Sequence, residues 1–287
     1  MRSVIWTGAI VLVIAAAGPR LFAQDTQKTQ GQSGATGSTG STGQTDQMVP
    51  PTGAVQAQKT DPAEEAAYKV FFNLKQSDDK AVVKSGEDFA EKYPNSKYRE
   101  GVYSKLAQAY YLEQNYAKMY ADGDKVLEID PDNVDILVLE GWVIPHNSPN
   151  PDDLDAQKKL DRAAEYEKHA LELIPKIPKP AQMTDADFAK SRDSLTSQAH
   201  SGLGLVYFRK GQLEESVAEL KQATENSAIA DAIDFYVLGV EQRQLKKYDD
   251  AMDSFDKCAK TPGSPVADRC NQQKDATKKL AAAAPKP

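Results

Sequence analysis

An all-α solenoid of stacked helix pairs is the fold class this sequence predicts, and three observations predict it. The first is an internal echo: Leu203-Gly204, Tyr207, Gly211, Leu213, Ser216, Leu220 and Ala223 recur as Leu238-Gly239, Tyr248, Ala251, Phe255 and Cys258. The offset is roughly that of a helix-turn-helix unit of about 34 residues. The second is helical spacing of apolar residues from Pro62 onward, with no sustained period-two alternation that would mark a strand. The third is the placing of prolines 94, 131, 175 and 262 just after successive apolar runs, where helix pairs should end.

Taken in order, Asp61 reads as an N-cap and Pro62 as a first helical residue. The first pair is predicted over 63–76 and 79–93, ending in Tyr93-Pro94-Asn95-Ser96. The second runs over 100–112 and 116–129, before Asp130-Pro131. A third opens at 134–144, is interrupted, and resumes over 154–174. The interruption, 145–151, holds three prolines in seven residues and reads as a loop. A second irregular stretch is expected over 176–184, around Pro178 and Pro180. The fourth pair joins a long helix, 185–209, to 213–225; the fifth spans 231–245 and 248–260. A last helix, 266–283, should cover the final apolar face, as stacked repeats require.

The pattern resembles the tetratricopeptide repeat (TPR). That family sets a large residue, a Leu-Gly or Leu-Ala pair and a Tyr on its first helix. Its second helix carries Ala, an aromatic and Ala, with Pro beyond. Here these are Tyr103, Leu106-Ala107, Tyr110, Met119, Gly123, Val126 and Pro131 in the second pair. In the fourth they are His200, Leu203-Gly204, Tyr207, Ser216, Leu220 and Ala223; in the fifth Phe235, Leu238-Gly239, Gln242, Ala251, Phe255 and Cys258. The third pair keeps Leu137, Gly141, Ala163 and Ala170. The resemblance implies a right-handed superhelical solenoid of about five TPR-like pairs plus a C-terminal capping helix. Small residues (Gly204, Gly239, Ala251, Ala170) would let paired helices approach, and Tyr110, Tyr207 and Phe255 would fill the space between pairs.

Three regions are expected along the chain: a signal peptide over 1–23, a Gly/Ser/Thr/Gln-rich disordered linker over 24–60, and the repeat domain over 61–283. Met1-Arg2, the apolar run Val4–Ala17 and Leu21-Phe22-Ala23 fit an exported leader. The run is short of the roughly 20 residues a spanning helix needs, so an uncleaved N-terminal inner-membrane anchor is the alternative. Residues 30–47 lack the apolar content that offsets ordering entropy. A periplasmic or secreted location follows, and the ending FAEKYPNSKY (89–98) resembles helix ends of bacterial envelope proteins with these repeats. Cys258 and Cys270 could form a disulfide in an oxidising compartment, or Cys258 could be simply a small buried residue. Without Arg2 and Arg20 the chain carries 33 basic against 42 acidic side chains, which argues against non-specific nucleic-acid binding.

No pattern of catalytic, metal-binding or cofactor-binding residues emerges. His146, His169 and His200 sit in unrelated contexts, and the two cysteines lack C-x-x-C spacing. The resemblance instead implies a protein or peptide partner held in a concave groove lined by first helices. Carried over position by position, the groove takes Gln108 and Tyr111 from the second pair. Ser201, Leu205, Phe208 and Arg209 come from the fourth, and Tyr236, Val240 and Arg243 from the fifth. Ser104 and Gln108 stand where some members carry a Lys and Asn carboxylate clamp, which is therefore missing. The expected function is a non-enzymatic scaffold or assembly factor of the bacterial cell envelope. A self-associating structural protein is one alternative, and a ligand-binding protein using the 145–151 loop is another.

Overall fold

The computed structural model describes residues 61–147, 154–225 and 230–284. The expected leader and linker lie outside the described residues. Those described contain no strand and form eleven α-helices: α1 (Pro62–Phe72), α2 (Asp79–Lys92), α3 (Arg99–Leu112), α4 (Tyr116–Ile129), α5 (Val134–His146), α6 (Leu154–Leu173), α7 (Asp185–Arg209), α8 (Leu213–Ala223), α9 (Ala232–Gln244), α10 (Tyr248–Lys260) and α11 (Ala267–Ala283). A 3-10 turn, Ile174–Lys176, follows α6. The all-α repeat solenoid is thus the observed architecture.

Local chemistry starts the helices where short polar side chains precede them. Asp61 accepts from the Ala63 amide at 2.9 Å, Asn133 from Ile136 at 3.1 Å, Thr184 from Asp187 at 3.1 Å and Asp231 from Ile233 at 2.7 Å. The turns within the second, fourth and fifth pairs share one device, a single residue in the left-handed region: Gln114 (φ 58°), Gly211 (φ 71°) and Lys246 (φ 60°). Only the fourth pair uses the glycine that adopts this conformation without steric cost.

Close packing then follows from small residues opposite large ones. A Cβ on Gly204 would lie 2.7 Å from Leu220, one on Gly239 2.8 Å from Phe255, and one on Gly86 2.7 Å from Leu106. Each glycine therefore sets the separation of two helices, because even an alanine methyl would force the facing side chain to move.

Both ends of the stack are tied down. At the first, the Lys105 ammonium donates to the carbonyls of Phe71, Phe72 and Leu74 at 3.2, 2.9 and 2.7 Å. These groups lie at the end of α1 and just beyond it, where helix carbonyls lack helical donors. The helix stops at Phe72, four residues before the expected Gln76, because its last carbonyls turn to Lys105 and Asn73. Tyr68 and Tyr98 stack at 4.0 Å, and Ser96 donates to Glu64 at 2.5 Å, so the 93–98 turn clasps α1. At the other end Cys258 and Cys270 are joined in a disulfide, Cα–Cα 6.1 Å, linking α10 to α11.

One expectation fails at Pro145. The sequence predicts that a loop begins there, yet α5 continues through it to His146. Proline in a last turn forfeits only one intrahelical bond, so the helix tolerates it there. The connection to α6 is correspondingly shorter than the sequence implies, and 148–153 lie outside the described residues.

Candidate partner-binding face

The first helices of successive pairs lie side by side: α3 against α5, α5 against α7, α7 against α9. A chain of hydrogen bonds crosses three of them. The Trp142 indole N–H on α5 donates to Ser201 Oγ on α7 at 3.1 Å. Ser201 in turn donates to Asp234 Oδ1 on α9 at 2.8 Å. All three side chains are buried, and burial pushes the Asp234 carboxyl well above its usual range, reinforced by nearby Asp231. Buried polar groups that satisfy one another hold their elements in one register.

The expected groove residues divide around this chain. Gln108, Phe208 and Val240 are half-buried on the first-helix layer. Tyr111 and Leu205 are buried instead: Tyr111 packs edge-on against Trp142, and Leu205 sits among Val217, Leu220 and Val237. Arg209 reaches back across the layer and donates from Nε to the Pro145 carbonyl at 3.2 Å. Tyr236 and Arg243 are engaged by α11. The Arg269 guanidinium lies 5.0 Å from the Tyr236 ring centre, and Arg243 donates to Gln273 at 2.5 Å. A carry-over that treats each first helix alike misses this, because α9 has a further helix beyond it. Sequence reasoning misses Trp142 and Asp234 altogether, since nothing local marks two residues 92 positions apart as ends of one chain.

The histidines have separate structural partners. The sequence places His146 in a surface loop. It occupies instead the last turn of α5, its ring 3.7 Å from that of Trp142, its Nδ1 2.7 Å from the Trp142 carbonyl. Desolvation pushes its pKa down to about 4, which keeps the imidazole neutral near pH 7. His169 meets Asp132 at 2.7 Å, and His200 meets Glu219 at 2.6 Å. Among the described residues no group of three His, Cys, Asp or Glu could hold a metal ion. No helix among them is long and apolar enough to cross a membrane.

Three glutamates are wholly buried at joints between helices. Glu140 on α5 meets Arg162 at 3.0 Å; burial outweighs that cation and raises its pKa to about 8. Glu241 on α9 accepts from Ser216 at 2.7 Å and is raised by burial to about 7. Glu167 on α6 lies against Gly141 and Gly202 with neither oxygen hydrogen-bonded, and burial raises it well above the ordinary value. These acids face packed helices.

Residues 197–228, the second half of α7 with α8, match the tetratricopeptide repeat family model. Among solved structures the chain is similar to a thermophilic TPR protein from Thermus thermophilus, at 14% identity and a TM-score of 0.47, over 76% of this chain and 100% of that one. No curated protein sequence matches. The chain carries a tetratricopeptide repeat, and repeats of this family generally mediate protein–protein interaction.

Proposed function

We propose that this tetratricopeptide-repeat chain is a non-enzymatic protein-binding scaffold that holds a segment of a partner protein against its first-helix layer. The observation that carries the reading is the buried Trp142–Ser201–Asp234 chain, which locks α5, α7 and α9 into one preorganised face. A face fixed before binding spares the ordering cost that weakens association. Gln108, Phe208 and Val240 supply half-buried polar, aromatic and aliphatic area on it. The engagement of Tyr236 and Arg243 by α11 shifts the centre of this surface toward α3–α7.

Leader-like residues 1–23 and the Gly/Ser/Thr/Gln-rich stretch after them support export and a tethered position in the bacterial envelope, where the partner would be met. Crosslinking in cells tests the reading. A photoreactive residue at Phe208 should capture a partner that the same residue at Glu128, on a second helix, does not, and Val240→Glu should abolish the capture. Equal capture from both positions, or capture indifferent to Val240→Glu, would refute the inner face as the binding surface. A mature N-terminus before Gln24 in the exported fraction would overturn cleavage after Ala23.

A further inference from the structure

At each joint between pairs, three positions meet: one on the preceding second helix, one on the following first helix, and one on its second helix. On the first helices these are Tyr110, Ile144, Tyr207 and Gln242, each three residues after the small residue of its helix, Ala107, Gly141, Gly204 or Gly239. At the first joint Tyr110 donates to Glu87 at 2.5 Å, and Lys118 closes the gap, 2.7 Å from Glu87 and 5.0 Å from the ring centre. At the second, Asp124 and Arg162 pair at 3.3 Å, and Ile144 is buried among Leu160, Ala163 and Leu203. At the third, Lys168 lies 5.7 Å from the Tyr207 ring centre.

The fourth joint has the same frame without the filling. Gln242 stands where the tyrosines stand, and its side chain is held down by Ser254, which donates to Gln242 Oε1 at 2.7 Å. The corresponding charged positions are Lys221 on α8 and Asp250 on α10. Between them is a cleft of about 290 Å³ whose lining includes Phe235 and Leu238. A dry cavity of about 150 Å³ already admits benzene. Glu225, Asp253 and Lys257 also line it, so the cleft offers room for an aromatic ring among two cations and three carboxylates, over a floor where Phe235 and Leu238 are buried.

We propose that this cleft takes the phenol side chain of a tyrosine presented by a partner polypeptide. The inserted ring replaces the tyrosine that this joint lacks. Lys221 occupies the place relative to the ring that Lys168 has over Tyr207, a cation–π contact. Asp250 accepts from the phenol hydroxyl, as Glu87 accepts from Tyr110 on the opposite wall. The cleft opens between second helices, so it is distinct from the first-helix face and stands or falls independently of it.

The test is a titration of the isotopically labelled full chain with N-acetyl-L-tyrosinamide, followed by NMR. Saturable shifts are expected at the amides of Lys221, Leu238 and Ser254, with N-acetyl-L-phenylalaninamide and N-acetyl-L-leucinamide at least several-fold weaker. Gln242→Tyr should fill the cleft and reduce probe affinity more than tenfold. Asp250→Lys, at an exposed position that leaves folding intact, should erase the preference for tyrosinamide over phenylalaninamide. No saturable shift up to the probe's solubility limit would overturn the proposal. So would equal binding of the three amides, or a preference for tyrosinamide that survives Asp250→Lys.

Discussion

Glu167→Gln isolates the most exposed consequence of the packing. Glu167 is wholly buried between Gly141 and Gly202 with neither oxygen hydrogen-bonded, and desolvation raises its pKa well above the ordinary 4.5. The folded chain thus keeps it protonated where the unfolded chain ionises it. Its contribution to stability is complete below pH 4.5 and is lost as pH rises toward the folded-state value. Each pH unit within that window removes about 1.4 kcal/mol. Glutamine keeps the shape and cannot ionise. Urea unfolding of both proteins as pH rises from 4.5 should show the wild type losing stability relative to the variant, with a slope approaching about 1.4 kcal/mol per pH unit. The contributions of Glu140, Glu241 and Asp234, also raised, cancel in the difference. A difference that stays constant with pH would refute the reasoning, because it would mean that Glu167 is charged or solvated in the fold.

Other perturbations follow from named contacts. Lys105→Met strips the end of α1 of three carbonyl partners and should cost about 2 kcal/mol, read as faster hydrogen exchange over 62–74. Ser201→Ala leaves Trp142 and Asp234 without their shared hydroxyl; the expected loss is about 2–3 kcal/mol by denaturant melt, and Ser201→Thr should recover part of it. Reduction of Cys258–Cys270, with 12 residues of separation, should lower stability by about 3 kcal/mol and deprotect α11 before α9, visible by exchange with and without reductant. Loss of protection in α9 first would show that α11 is held by packing rather than by the bond.

The first-helix face is only partly legible in the sequence. Phe208 and Val240 fall on the expected layer because helical spacing alone assigns a side to each residue. Tyr111 and Leu205 share that side yet are buried, since neighbouring helices close over them. The open fourth joint is written in the sequence as Gln242 at a tyrosine position, but a glutamine there could equally have been covered by a neighbour. Whether space remained depended on how α8, α9 and α10 came together.

What the sequence determined by itself is the order of the helices, the Asp61 cap of the first, and the small residues, such as Gly204 and Gly239, at which paired helices approach. These rest on interactions within a few dozen residues, where backbone propensity and periodicity act directly. Tertiary structure alone decided that Trp142, Ser201 and Asp234 form one polar chain, that α11 claims Tyr236 and Arg243, and that three glutamates are buried at the joints. A buried carboxyl, an indole N–H or a guanidinium takes its role from groups brought to it by other helices. One-dimensional spacing carries no record of that approach.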